Sequence, residues 1–173
     1  MCYNRKNKKR KGDIMTRTEL FDAVCSYMNE QNWRYEHNEE KTMIRSAVKV
    51  QCKLQTLRLL IAFGESEFAV FAMPNLSADA NTTGPVMEYI TKINLAMRNG
   101  NFLLNPENGE IRYRTFVNAR GLENLPKEII AEAILVPAMM FDRYGDGLAT
   151  LLMGYSTPDA EIENANKPKG NPS

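Results

Sequence analysis

Apolar and polar positions change period several times along this chain, and each change marks an element. Leu20, Phe21, Val24, Cys25, Tyr27 and Met28 recur at steps of three and four, the spacing of one helical face. "TRTE" before them supplies the start: the Thr16 hydroxyl accepts from the Glu19 amide while the Glu19 carboxylate reaches back, a capping box. The period then drops to two. "WRYEH" alternates large and polar residues, Ile44, Ser46, Val48 and Val50 continue the alternation, and "LQTLRLLIAF" sets Leu57, Leu59, Ile61 and Phe63 against Arg58, Leu60 and Ala62. "GES" turns the chain into "EFAVFAMP", which Pro74 ends because proline has no amide to give a strand ladder. Turns this short join antiparallel neighbours.

After the loop-like "NLSADANTTG", Gly84-Pro85 opens a second helix with Val86, Ile90, Ile93 and Met97 as its stripe and Gly100 as its left-handed cap. In "NGNFLLNPENGEIRYRTF", Phe102 and Leu104 begin a strand and "NPENG" is turn chemistry. Ile111, Tyr113 and Thr115 then alternate with Arg112, Arg114 and Phe116. From about Pro126 a third helical stripe runs through Ile130, Ile134, Pro137, Phe141, Tyr144, Leu148 and Leu151. Pro137 is expected to bend or break that helix between Ala133 and Pro137, since an internal proline costs about 3 kcal/mol in a straight one. The composition from Thr157 onward predicts a frayed tail over residues 158–173. The fold class expected is α+β: an antiparallel sheet of roughly five or six strands with three helices, in the order α-β-β-β-β-α-β-β-α. It forms a single domain over residues 15–157, behind a disordered basic leader at 1–14.

This order, with "YITKINLAMRNG", "GNFLLNPENGEIRYRT", "FDRY" and "LLMG", resembles the YbjN-like family of bacterial proteins. The likeness covers roughly Thr16 to Pro158 and is sharpest from Asn94 to Arg114. The basic leader and Pro137 within the last helix depart from it. What the resemblance implies is the type III secretion chaperone-like fold, a twisted antiparallel sheet packed with helices. Through the family's label, sensory transduction regulator, it also implies a regulatory role, but it names no reaction and no binding residues.

Charge refines this picture. Residues 1–14 hold six of the 22 basic residues and one of the 21 acidic ones, which leaves 16 basic against 20 acidic, or −4, for the remainder. A basic arm can gain affinity for nucleic acid by releasing counterions. With Tyr3 the lone aromatic among these charges, a solvated leader is the preferred reading. The three cysteines, Cys2, Cys25 and Cys52, form no C-x-x-C pair and suit a reducing cytoplasm. No apolar run reaches the length of a bilayer span, and the basic start has no apolar segment behind it. The protein is therefore expected to be soluble and cytoplasmic, without a membrane partner.

Chemistry is sparse. His37 is the only histidine, which removes histidine metal clusters and ties any Ser-His or Cys-His arrangement to one turn residue among Asn38, Glu39 and Glu40. Phosphate-cradling glycine motifs are missing, and "GDG" at Gly145 sits inside a helical pattern. Asn105, Glu107, Asn108 and Glu110 offer oxygens without the closing glutamate of a calcium loop. Asp142 and Asp146, four apart on one helical face, read as solvated. Asn94 reads as the partner of a buried backbone group near the Gly100 turn. No catalytic, cofactor or metal site is expected, and the chain is read as non-enzymatic.

One feature points to binding. The strand Leu57 to Phe63 is apolar on both faces, and the next repeats this with Phe68 and Val70 against Phe71 and Met73. Both faces must be covered, by the chain's own helices or by another molecule. Arg45, Lys49, Arg58, Arg112 and Arg114 can share one sheet surface and bind an acidic segment or nucleic acid; a charged outer face that deters edge pairing is the preferred reading of them. The expected site is a groove near Leu60, Phe71 and Met73 with Arg58 and Arg112 as its polar rim. It would receive a protein client or a second copy of the chain, with nucleic acid bound through residues 1–14 as the first alternative and an enzyme of unknown reaction as the second.

Overall fold

The computed structural model describes residues 15–167; the leader at 1–14 and residues 168–173 lie outside the described residues. The elements are α1 (Arg17–Glu30), β1 (Tyr35–His37), β2 (Met43–Lys49), β3 (Thr56–Phe63), β4 (Glu67–Met73), α2 (Thr83–Asn94), β5 (Asn101–Leu104), β6 (Ile111–Asn118), α3 (Lys127–Leu152) and α4 (Pro158–Asn166). The six strands form one antiparallel sheet in the order β1-β2-β3-β4-β6-β5. The α+β order expected from the sequence therefore holds, with one helix added at the end.

The inner face of this sheet is the core. Ile44, Leu57, Leu59, Ile61, Phe68, Val70, Phe102, Ile111 and Tyr113 are buried there with Leu20, Val24 and Met28 of α1, Tyr89 and Ile93 of α2, and Ile134, Phe141 and Leu148 of α3. α1 starts with the capping box that "TRTE" implies: Thr16 Oγ1 accepts from Glu19 N, and Thr16 N donates to Glu19 Oε2 at 2.9 Å. α4 packs on α2 and α3, so all four helices lie on one side of the sheet.

Three local expectations change. α3 runs unbroken through Pro137. Proline removes the amide that would have bonded the Ala133 carbonyl, and the buried Thr115 hydroxyl of β6 donates to that carbonyl instead, at 2.7 Å. The helix survives because the sheet supplies the missing donor. α2 ends at Asn94, short of Gly100. There the Asn94 side chain donates to Phe102 O and accepts from Phe102 N, both at 2.9 Å, and acts as a strand partner for β5. This fits the role read for Asn94, and the positive φ of Gly100 serves the turn into β5 instead of a helix cap.

The tail expectation also fails over 158–166, where α4 forms. Thr157 and Pro158 provide a helix start, and Ile162 and Ala165 pack against the core. These are too few apolar residues to show as a stripe in the sequence, yet with the contacts to α2 and α3 they dock the helix. Lys92 of α2 adds an ion pair to Asp159 at 2.5 Å.

Candidate protein-binding face

With every helix on the inner side, the residues that alternate outward line a second face. Cross-strand register sets them in rows. Arg45 lies opposite Leu60, Leu60 opposite Phe71, and Phe71 opposite Arg114. One step along, Ala47 faces Arg58, Arg58 faces Met73, and Leu103 faces Arg112. The five residues expected to form the site thus share one surface. Leu60, Phe71 and Met73 take no part in the continuous core. Met73 is nevertheless 7% exposed, so it forms the floor of this face and not its surface. Leu60 and Phe71 are half-buried, and Phe116, further along β6, is 54% exposed.

A cavity of about 350 Å³ opens at the centre, lined by Arg45, Arg58, Leu60, Met73, Glu110 and Arg112 among others. It brings together four of the five expected residues; Phe71 borders it through Arg112, whose guanidinium lies 6.0 Å from the Phe71 ring centroid. A second cavity of about 400 Å³ shares Arg45 and continues to Arg34 and Glu36 at the β1 edge. Arg45 and Glu110 were not singled out for the site from the sequence. The signal for Arg45 is the hairpin register that puts it opposite Leu60. Glu110 arrives through the turn at 105–110, which no strand pattern locates.

That turn is held by backbone chemistry. Gly109 has φ +69°, and a Cβ there would lie 1.8 Å from the Ala78 carbonyl oxygen. Ala78 N donates to Gly109 O at 2.9 Å, and Ser77 bridges Glu110. The loop after β4 therefore closes one end of the face and presents Glu110 at its rim, where it pairs with Arg112. Three of the residues that raised a calcium reading have local partners: Asn105 Oδ1 accepts from Glu107 N and Asn108 Oδ1 from Glu110 N, each at 3.0 Å, and Glu110 pairs with Arg112.

Three arginines, Arg45, Arg58 and Arg112, line the central cavity with Glu110 as its carboxylate; Arg114 lies further across the face, opposite Phe71, and Glu36 stands opposite Arg45 at the β1 edge. Glu110 is committed to Arg112. Arg45 and Arg58 have no ion-pair or hydrogen-bond partner among the described residues, and Arg114 reaches only the neutral Asn101 amide, at 3.5 Å. All three are exposed. The face is positive although the chain beyond its leader is acidic.

The remaining polar residues have structural tasks. His37 ends β1, stacks edge-on against Phe21 at 5.3 Å and bonds Asn38 O through Nδ1 at 3.0 Å. Asp142 and Asp146 are not a solvated pair: Asp142 Oδ1 accepts from Gln51 N, and Asp146 Oδ1 accepts from Lys53 N at 2.7 Å. They clamp the β2–β3 connection onto α3. Gly145 and Gly147 of "GDG" let neighbours approach, since added Cβ atoms would lie 2.6 Å from Cys52 Sγ and 2.6 Å from the Tyr89 hydroxyl. Burial raises the Tyr89 and Tyr113 phenols, the latter to about 12. Among the described residues no group of three or more His, Cys, Asp or Glu is placed to hold a metal ion, and no helix is long and apolar enough to cross a membrane.

A scan against protein-family models and a search of curated proteins each found no match to this chain.

Proposed function

We propose that this chain is a non-catalytic protein-binding module, a chaperone-like or regulatory adaptor, and that its outer sheet face receives the partner. The observation that carries the reading is a sheet covered by helices on one side, with Leu60, Phe71 and Met73 on the other side and outside the core. Large apolar side chains grouped on a surface beside a cavity are the usual mark of an interaction site. A client protein suits this face better than a second copy, because two such faces pairing about a two-fold axis would set arginines against arginines. The resemblance to YbjN-like proteins and their chaperone-like fold points the same way. The free thiols of Cys25 and Cys52 suit a reducing cytoplasm.

A photoreactive residue placed at Phe116 tests this in the cells that make the protein. Phe116 is exposed on the outer face, so crosslinking there should capture a discrete protein, while the same probe at exposed Glu128 of α3 should not. Equal capture at both positions, or none at Phe116, would refute the reading.

A further inference from the structure

We infer that the outer face recognises an acidic protein segment built around a bulky apolar side chain. The apolar group sits against Leu60 and Met73 in the central cavity, and the carboxylates on either side of it are taken by Arg45, Arg58 and Arg114. This rests on the docking reading above and narrows it to one chemistry.

Three observations converge. Arg45 and Arg58 lie on adjacent strands beside the cavity and Arg114 two strands further across the same face; none of the three makes an ion pair among the described residues, and Glu36, opposite Arg45, is the one carboxylate in register with them. The cavity lined by Arg45 and Arg58 has an apolar floor, which a purely charged ligand would leave unfilled. The chain also carries its own example of the proposed contact: Glu110 pairs with Arg112 at the rim while Arg112 lies over the Phe71 ring. Guanidinium groups suit this task, because they bind carboxylates through paired donors and are weakly enough hydrated to pack on apolar surface. Nucleic acid is the poorer fit. Single strands are held by rows of stacking rings, and on this face Phe71 is occupied by Arg112 while Phe116 stands apart.

The test is selection of a library of short random peptides against the full chain and against its Arg45→Glu/Arg58→Glu variant. Both side chains are exposed and make no ion pair, so the variant should stay folded, its midpoint lowered only slightly by the new carboxylate facing Glu36. Peptides recovered by the parent should carry Asp or Glu within two residues of Leu, Ile, Met or Phe. They should bind the variant at least about tenfold more weakly and lose affinity as salt rises. Recovery of no peptides, or of neutral or basic ones, overturns the inference. So does tighter binding of single-stranded oligonucleotides than of the acidic peptides, if it is lost in the same variant. Should Phe116 crosslinking capture a protein while selection yields no acidic peptides, the docking face stands and its acidic specificity falls; should crosslinking also capture nothing, both fall.

Discussion

The bond between Thr115 and Ala133 explains how one residue rescues another. Pro137 is a helix breaker by its own chemistry, yet α3 continues because a hydroxyl from the sheet satisfies the carbonyl that proline orphans. Thr115→Val keeps the shape and removes that donor, so it should cost about 1–3 kcal/mol in denaturant unfolding. In a Pro137→Ala background the restored amide can serve Ala133, and the same substitution should cost clearly less. Additive costs in that double-mutant cycle would show that the two residues are not coupled. Tyr113 gives a second residue-level prediction. Its phenol is raised to about 12 by burial, against about 10 in an unfolded chain. A raised folded value favours the protonated form, so this contribution to stability is fully present below about pH 10 and is lost as pH rises toward 12. Alkaline titration by absorbance should show at least one tyrosine ionising with unfolding; Tyr113→Phe should flatten the stability decline across that window.

Elements were legible where periodicity was strong and opaque where a few side chains decide. The four-strand run, the second hairpin and the three long helices follow from spacing and turn residues, and the capping box locates the start of α1 to the residue. α4 was missed because Ile162 and Ala165 make too short a stripe to count. The role of "DRYGDG" was missed because it depends on a distant turn: Asp142 and Asp146 accept from the amides of Gln51 and Lys53, and Gly145 makes room for Cys52. No local pattern carries that pairing. It makes a firm prediction for the element, since Gly145→Ala improves helix propensity by about 1 kcal/mol and would ordinarily stabilise α3. With Cys52 Sγ at 2.6 Å and Leu54 Cδ1 at 3.2 Å from the new Cβ, overpacking of about 1–3 kcal/mol should win. Net destabilisation by thermal unfolding is expected; a rise in midpoint would mean the turn yields freely.

At the scale of the whole molecule, the sequence signalled that both sheet faces are apolar but not which would be left open. That depends on all helices packing to one side, which strand alternation cannot reveal. The consequence is a sharp contrast between neighbours. Leu59 faces the core at 2% exposed, and a charge there is buried without a partner, so Leu59→Glu should abolish folding. Phe71 faces outward, opposite Arg114 and beneath Arg112, and a glutamate at that position meets cations. The most direct measurement is therefore the affinity of Phe71→Glu for the protein captured through Phe116, taken beside its thermal midpoint. The account predicts a midpoint close to that of the parent and binding weakened by at least about tenfold. Unchanged binding, or a variant that unfolds as Leu59→Glu does, would contradict it.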